Sequence, residues 1–243
     1  MHSFKNIAVL IVLLGCVSLS FTSKKSYKLN KLLNQVNNFY PTLLDQKNNL
    51  SIEKCKGFSD KIDEFNDRIA TISLHRSSEG LQKMFFIHAF NLRVLKKINQ
   101  NYPLKSIETI DNFYDGESFT VSKGQYTLRS LKHYLITKYR DPNVFFSMYF
   151  GGISSPNLTF PKEKNADNLI LLKARQFVNN KEMVRIKTRS HLLLLPEFMK
   201  WYIKDFNVED PKGFIPYINE LLESDKVPNN YEVKFYPYSW KLN

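Results

Sequence analysis

The chain has 243 residues and a formal net charge of +12. Hydrophobic residues make up 43% of it and aromatic residues 14%, which is enough for a packed core and excludes an intrinsically disordered chain. The basic residues are spread along the sequence without a dense cluster, which argues against a dedicated nucleic-acid site. An excess of this size still favours weak attraction to anionic lipid headgroups or acidic polysaccharide.

The N-terminus has the pattern of a bacterial export signal. Lys5 precedes an unbroken apolar run over residues 7–14, too short to cross a bilayer, since a span takes about 20 residues, but typical of a signal peptide. The run ends in LLGC at Cys16, the order of a lipobox, in which Cys16 is acylated and becomes the mature N-terminus. The alternative is a plain signal peptide cleaved between residues 18 and 23. We therefore predict an exported cell-envelope protein, held on the membrane through Cys16 or otherwise periplasmic or secreted.

Residues 17–79 are predicted to form a helical extension. Apolar residues recur at helical spacing over 27–39, and Pro41 ends this helix. Ser59 can cap a second helix, and the polar segment 45–54 between the two helices is predicted to be a linker.

Cysteine usage limits the chemistry that the mature chain can perform. With Cys16 acylated or removed, Cys55 is the one remaining thiol, which excludes an intramolecular disulfide and a cysteine metal site. A single cysteine without a partner motif is more often structural than catalytic. The histidines show neither HExxH nor His-x-His spacing, and no P-loop or glycine-rich dinucleotide turn occurs, so we expect no metal and no cofactor.

A central helix is predicted over residues 81–99, because its apolar residues surround most of its circumference. His88 and Asn91 lie on one face of this helix, three positions apart. Buried polar groups need hydrogen-bond partners. These two side chains therefore either hold the helix against a neighbouring backbone or belong to a site.

The next elements carry the candidate site residues. A hairpin around residues 119–124 leads to Thr127, a good N-cap for a helix that carries His133 and ends near Tyr139. The apolar run 144–150 has the composition of a fully buried strand. Functional loops often follow such strands, and the loop here contains Gly151, Gly152, Ser154 and Ser155.

The remaining sequence predicts a single α+β domain, with a small and mostly antiparallel sheet wrapped by helices. Trp201 and Trp240 are predicted to lie in the core. The predicted helices span 165–179, 192–206 and 211–222, and the predicted sheet includes 144–150, 183–188 and 231–236.

Three segments resemble the domain-of-unknown-function family 547, which occurs in bacterial envelope proteins and in plants. They are FFIHAFNLRVLKKINQNYPLKSIETI, YTLRSLKHYLITKYRDPNVFFSMYFGGISSPNL and FYPYSWKLN, and the resemblance spans roughly residues 80 to 243. The family's pattern has an N-A-x-N helix, a charged residue before a histidine, N-C-A-S-x-S-C-P, K-W-Y-x-x-D-F and Y-D-W-S-L-N. Asn91 matches this pattern, whereas His88 stands where the family usually has asparagine.

The resemblance implies a cleft with thiol chemistry, and this sequence departs from the family there. Phe150 and Ser155 occupy the cysteine positions, and Lys132 precedes His133 where the family has glutamate. A carboxylate would raise the basicity of an imidazole, and lysine does the reverse.

Two functions remain open. The first is a non-enzymatic envelope protein that binds a protein partner or small-molecule ligand in the cleft, with His88, Gly151, Gly152 and Ser154 as binding residues. The second is a hydrolase or acyl-transfer enzyme, in which His133 activates Ser154 or Ser155 and Asn91 or His88 orients the base or stabilises an oxyanion.

Overall fold

The computed structural model describes residues 27–163, 165–223 and 225–242. The predicted signal peptide and Cys16 lie outside these residues. Among the helices within them, none combines the length and the apolar character needed to cross a membrane. The helices are α1 (27–39), α2 (Ile52–Gly57), α3 (Ser59–Thr71), α4 (Glu79–Gln100), α5 (Leu128–Tyr139), α6 (Ala166–Val178), α7 (Glu197–Trp201) and α8 (Phe214–Leu221).

Helix α4 forms the centre of the domain, as predicted. Ser78 caps it by accepting a hydrogen bond from the amide of Leu81, and most of its residues are buried on all sides. Helices α2, α3, α5 and α6 contact it. A helix that is apolar around its circumference is stable only when neighbours cover every face, so α4 sets the positions of the elements around it.

The N-terminal helices pack in the same hydrophobic core as α4. Leu29 and Val36 of α1 and Phe65 of α3 are buried in it. The segment 45–54, predicted to be a linker, is instead fixed: Leu44 and Leu50 form a β-bridge. The segment connects α1 to the next helices through a tight turn, in which the amide of Asp45 donates to the carbonyl of Asn49, and its last residues begin α2.

Two small sheets complete the α+β domain. Strands β1 (Phe119–Val121) and β2 (Gly124–Tyr126) form the predicted hairpin, which is antiparallel. Strands β3 (Arg185–Lys187), β4 (Leu192–Pro196) and β5 (Glu232–Tyr236) form the other sheet in the order β3-β4-β5. The β3–β4 pair is antiparallel and the β4–β5 pair is parallel. The predicted fold class is therefore confirmed.

The prediction of a strand over 144–150 was wrong. A 3₁₀ helix spans Pro142–Ser147, and residues 148–150 follow it outside any sheet. Proline at the first helical position and the side chain of Asp141, which accepts a hydrogen bond from the amide of Asn143, favour a helical turn here. The segment is fully buried, as expected, but a run that is apolar on every side does not distinguish a strand from another buried conformation.

The predicted helix 192–206 is also wrong at both ends, since β4 occupies its first residues, α7 begins only at Glu197, and the chain continues in turns after Trp201. Pro196 has extended backbone angles and disfavours a helical conformation of Leu195 before it. Trp201 consequently lies at the end of a short helix. It is 41% exposed, so the prediction that places it in the core was wrong, and Trp240 is half-buried.

Candidate functional site

A cleft of about 600 Å³ lies between α5 and the end of α7. Arg129, Lys132, His133 and Ile136 of α5 follow one another at helical spacing and line one side of it. The intervening leucines of α5 face the core, so this polar face is left to the solvent. The other lining residues are Asp115, Thr127, Ser130, Trp201, Tyr202 and Asp205.

Helix α5 is held in register by its first turn. The hydroxyl of Thr127 accepts a hydrogen bond from the amide of Ser130, and the hydroxyl of Ser130 accepts one from the amide of Thr127. This reciprocal capping satisfies amides that the helix itself leaves free. It fixes the point at which Arg129, Lys132 and His133 enter the cleft.

Lys132 makes the most unusual polar contact in the cleft. Its ammonium donates a 2.6 Å hydrogen bond to the hydroxyl of Tyr202 and lies 4.4 Å from the centre of that ring. Burial, with a smaller contribution from the charge of Arg129, lowers the pKa of Lys132 to about 8. Within the part of the chain that is described, no carboxylate forms an ion pair with this ammonium.

Arg129 and Asp115 form an exposed ion pair at the rim. The Nε of Arg129 donates to both carboxylate oxygens of Asp115, at 2.7 and 2.8 Å. An exposed pair of this kind contributes little to stability, about 0–1 kcal/mol. Its effect is to hold the guanidinium and the carboxylate in one orientation beside the cleft.

Trp201 and Trp240 form an aromatic platform at the end of the cleft. Their ring centroids are 5.5 Å apart and their planes differ by 5°. Tyr238 supports the platform from the same C-terminal segment, with its ring centre 4.3 Å from that of Trp240. Trp240 thus stacks on Trp201, and Trp201 is still 41% exposed at the cleft that it lines.

The glycine-serine loop holds the segment that carries Trp240. The amide of Ile153 donates to the carbonyl of Lys241 at 2.9 Å, and the hydroxyl of Ser154 accepts from the amide of Ser239 at 2.9 Å. Gly151 and Gly152 have φ angles of +84° and +145°, which glycine adopts readily. This loop therefore holds the segment that carries Trp240, and the predicted binding residues Gly151, Gly152 and Ser154 do not line the cleft, although Gly152 borders a separate cavity.

His88 and Asn91 are fully buried and do not reach the cleft. The imidazole Nδ1 of His88 lies 3.1 Å from the hydroxyl of Tyr40, and burial lowers the pKa of His88 to about 3. The amide of Asn91 donates to the carbonyl of Ser147 at 2.9 Å, and its oxygen accepts from the amide of Tyr149 at 2.8 Å. Asn91 thus makes two hydrogen bonds with the backbone of segment 144–150, of the kind that a neighbouring strand makes in a sheet.

The structure does not bring His133 and the loop serines together as a pair. His133 is exposed in the cleft, and among the described residues its imidazole has no hydrogen bond to Ser154 or Ser155. The hydroxyl of Ser155 is buried and accepts from the amide of Phe150 at 2.7 Å. Ser155 instead borders a separate, smaller cavity of about 160 Å³.

Phe150, at the position where the resemblance predicts a thiol, packs against Tyr202 and does not itself line the cleft. Its ring is 2% exposed and lies 6.0 Å from that of Tyr202, which separates it from the cleft. Phe145 also packs against Tyr202, with its ring centre 4.5 Å from that of Tyr202. The position at which the resemblance implies a thiol is therefore occupied by a buried apolar ring.

Several cleft residues were not predicted from the sequence. Helical spacing alone predicts that Arg129, Lys132 and His133 share one face of α5. The places of Trp201, Asp115 and Asp205 in the cleft depend on the tertiary fold.

In the described ranges, no group of three or more His, Cys, Asp or Glu side chains is arranged to hold a metal ion. Comparisons of the chain with models of protein families, with curated proteins and with solved structures found no match.

Proposed function

We propose that the protein is an exported component of the bacterial cell envelope that binds a small-molecule ligand or a protein partner in the cleft between α5 and α7 without transforming it. The observation that supports this proposal is that the cleft exposes polar and aromatic groups, whereas Phe150, at the position where the resemblance implies a thiol, is buried against Tyr202 and does not line the cleft.

The resemblance to family 547 supports the same proposal, with residues 80–243 as the family domain and residues 17–79 as its helical extension. In this proposal the N-terminal segment is an export signal that carries the domain out of the cytoplasm, and Cys16 is its lipid anchor. Multiple acyl chains hold a protein on a membrane far more firmly than one.

The hydrolase alternative requires a serine hydroxyl within hydrogen-bond reach, about 3 Å, of a base. Ser154 and Ser155 instead accept backbone hydrogen bonds that hold the C-terminal segment and the loop itself. These contacts account for both serines without chemistry, so the binding function is the one that we propose.

Two substitutions at one position test binding against catalysis in the source bacterium. His133→Ala removes only an exposed imidazole, and we expect the strain to keep the wild-type phenotype. His133→Trp fills the cleft, and we expect the phenotype of a deletion strain. His75→Trp, at another exposed histidine, is the matched control. A His133→Ala strain as defective as the deletion, with normal protein level, would favour the enzyme.

The anchor has its own test. The intact mass of the protein from the membrane fraction is expected to correspond to a chain that begins at an acylated Cys16. A soluble chain that begins after Ser18 without lipid mass would refute the anchor and leave export standing.

A further inference from the structure

We propose that the ligand of the cleft is a carbohydrate, one pyranose ring of which lies on the exposed face of Trp201. This inference rests on the proposed binding function and adds the chemical class of the ligand. It is carried by two observations, the stacked tryptophan platform and the mixture of donors and acceptors around it.

The platform presents a flat apolar surface in a fixed orientation. Trp201 is 41% exposed although tryptophan is usually well buried, and its exposed side chain lines the cleft. The parallel stack on Trp240 holds the indole in place before a ligand arrives, so little side-chain entropy is lost on binding. A pyranose ring has a face of C–H groups that packs on such a surface, while its hydroxyl groups point outward from the ring edge.

The groups around the platform fit those hydroxyls. Each sugar hydroxyl both donates and accepts hydrogen bonds. Asp205 and Asp115 supply acceptors, and Lys132 and Arg129 supply donors. Arg129 contacts Asp115 through Nε only, and in the described residues its terminal nitrogens form no hydrogen bond, which leaves them for a ligand.

The same groups disfavour other ligand classes. A phosphate or nucleotide phosphate group offers oxygens that only accept, so it would leave the acceptors Asp115 and Asp205 without donors from the ligand. A wholly apolar ligand would bury Lys132 and Asp205 without new hydrogen bonds, which is unfavourable. A cleft of about 600 Å³ lies within the usual range of ligand pockets, ~300–1,000 Å³, and accommodates a short oligosaccharide.

The test uses the mature chain with Cys16→Ser and an array of neutral and uronic-acid oligosaccharides, followed by titration calorimetry with the oligosaccharide that binds best. We expect Trp201→Ala to weaken binding by about tenfold or more, and Trp201→Phe, which keeps a flat ring, to restore most of it. Asp205→Asn, which changes a lining acceptor without loss of volume, is also expected to weaken binding. Tyr27→Ala, at an exposed aromatic residue on α1, is the matched control and is expected to bind like the wild type.

The possible failures are distinguishable. Equal binding by the wild type and a folded Trp201→Ala variant would overturn the carbohydrate site. If no oligosaccharide binds but native mass spectrometry of the protein from its own envelope finds another ligand, and His133→Trp removes that ligand, the carbohydrate is wrong and the binding function stands. If neither an oligosaccharide nor any other ligand is found, both proposals fail.

Discussion

A Cβ atom on Gly152 would lie 2.5 Å from the carbonyl oxygen of Ser239 and 2.9 Å from the Cα of Trp240. A Cβ atom is essentially never found within 3.0 Å of another heavy atom to which it is not bonded, so residue 152 has to be glycine for the C-terminal segment to lie against the loop. The position of Trp240, and with it the support of Trp201, therefore depends on a residue that is far from both in sequence.

Gly152→Ala is expected to destabilise the protein. The added methyl group meets backbone atoms that cannot move away easily, and the φ of +145° is unfavourable for alanine. Backbone strain of this kind costs about 1–3 kcal/mol, which for a chain of this size lowers Tm by roughly 2–4 °C per kcal/mol. Thermal unfolding followed by far-UV circular dichroism measures the change.

Gly57→Ala is the matched control for this prediction. A Cβ there meets nothing within 4 Å, and the residue is the last of a helix, so we expect an unchanged or slightly higher Tm. Equal Tm values for the two variants would show that the loop and the C-terminal segment are not packed as described.

Asn91→Ala is expected to cost about 2–6 kcal/mol of unfolding free energy. The substitution leaves the carbonyl of Ser147 and the amide of Tyr149 buried without partners, and each unsatisfied group costs about 1–3 kcal/mol. Urea unfolding measures the loss. Asn168→Ala, on the exposed face of α6, is expected to be nearly neutral. Wild-type stability of the Asn91→Ala variant would contradict this structural role and would favour a functional role for the residue.

His88 is expected to make the protein sensitive to acid. Burial lowers its pKa to about 3 from an unfolded value of 6.5. Above pH 6.5 its contribution to stability is fully present, because neither state binds the proton. As the pH falls from 6.5 toward 3, only the unfolded chain takes up the proton, and the free energy of unfolding decreases by up to about 1.4 kcal/mol per pH unit.

The comparison of wild type with His88→Gln isolates this effect. The wild type is expected to lose more unfolding free energy than the variant between about pH 7 and pH 5. His75→Gln, at an exposed histidine, serves as the control and is expected to follow the wild type. Parallel pH profiles for wild type and His88→Gln would contradict the burial of a neutral imidazole.

Cys55 is expected to be unreactive in the folded protein. Its thiol is 0% exposed, and burial raises its pKa to about 12, so the reactive thiolate is scarce near neutral pH. In a Cys16→Ser chain, a thiol reagent is expected to modify Cys55 only after unfolding. Ile153→Cys, at a position that is 41% exposed, provides a thiol that reacts at once. Rapid modification of Cys55 in the native protein would contradict its place in the core.

The helices of the core could be predicted because their apolar residues recur with a period that only a helix accommodates. Helices α4, α5 and α6 are therefore confirmed close to their predicted ends. Segment 144–150 has no period, since every side of it is buried. Its conformation depends on Asn91, whose amide lies more than fifty positions earlier and replaces a sheet partner.

The candidate site was likewise predictable only where local sequence determines it. The spacing of Lys132 and His133 on α5 follows from local sequence, and so does their common face. The exposure of Trp201 does not, because it depends on where β5 delivers Trp240 and on how Ser154 and Gly152 hold that segment. His88 and Asn91 are polar residues on a buried helix, and sequence alone does not distinguish a structural hydrogen bond from a functional one.

The chain contains two tryptophans, and both belong to the stack beside the cleft. The indole fluorescence of the protein therefore originates at the proposed binding site. Two nearly parallel indoles at 5.5 Å are also close enough for their electronic transitions to couple, which gives a characteristic near-ultraviolet dichroism. A ligand that lies on Trp201 changes both signals, so binding can be followed in the unmodified protein without a label.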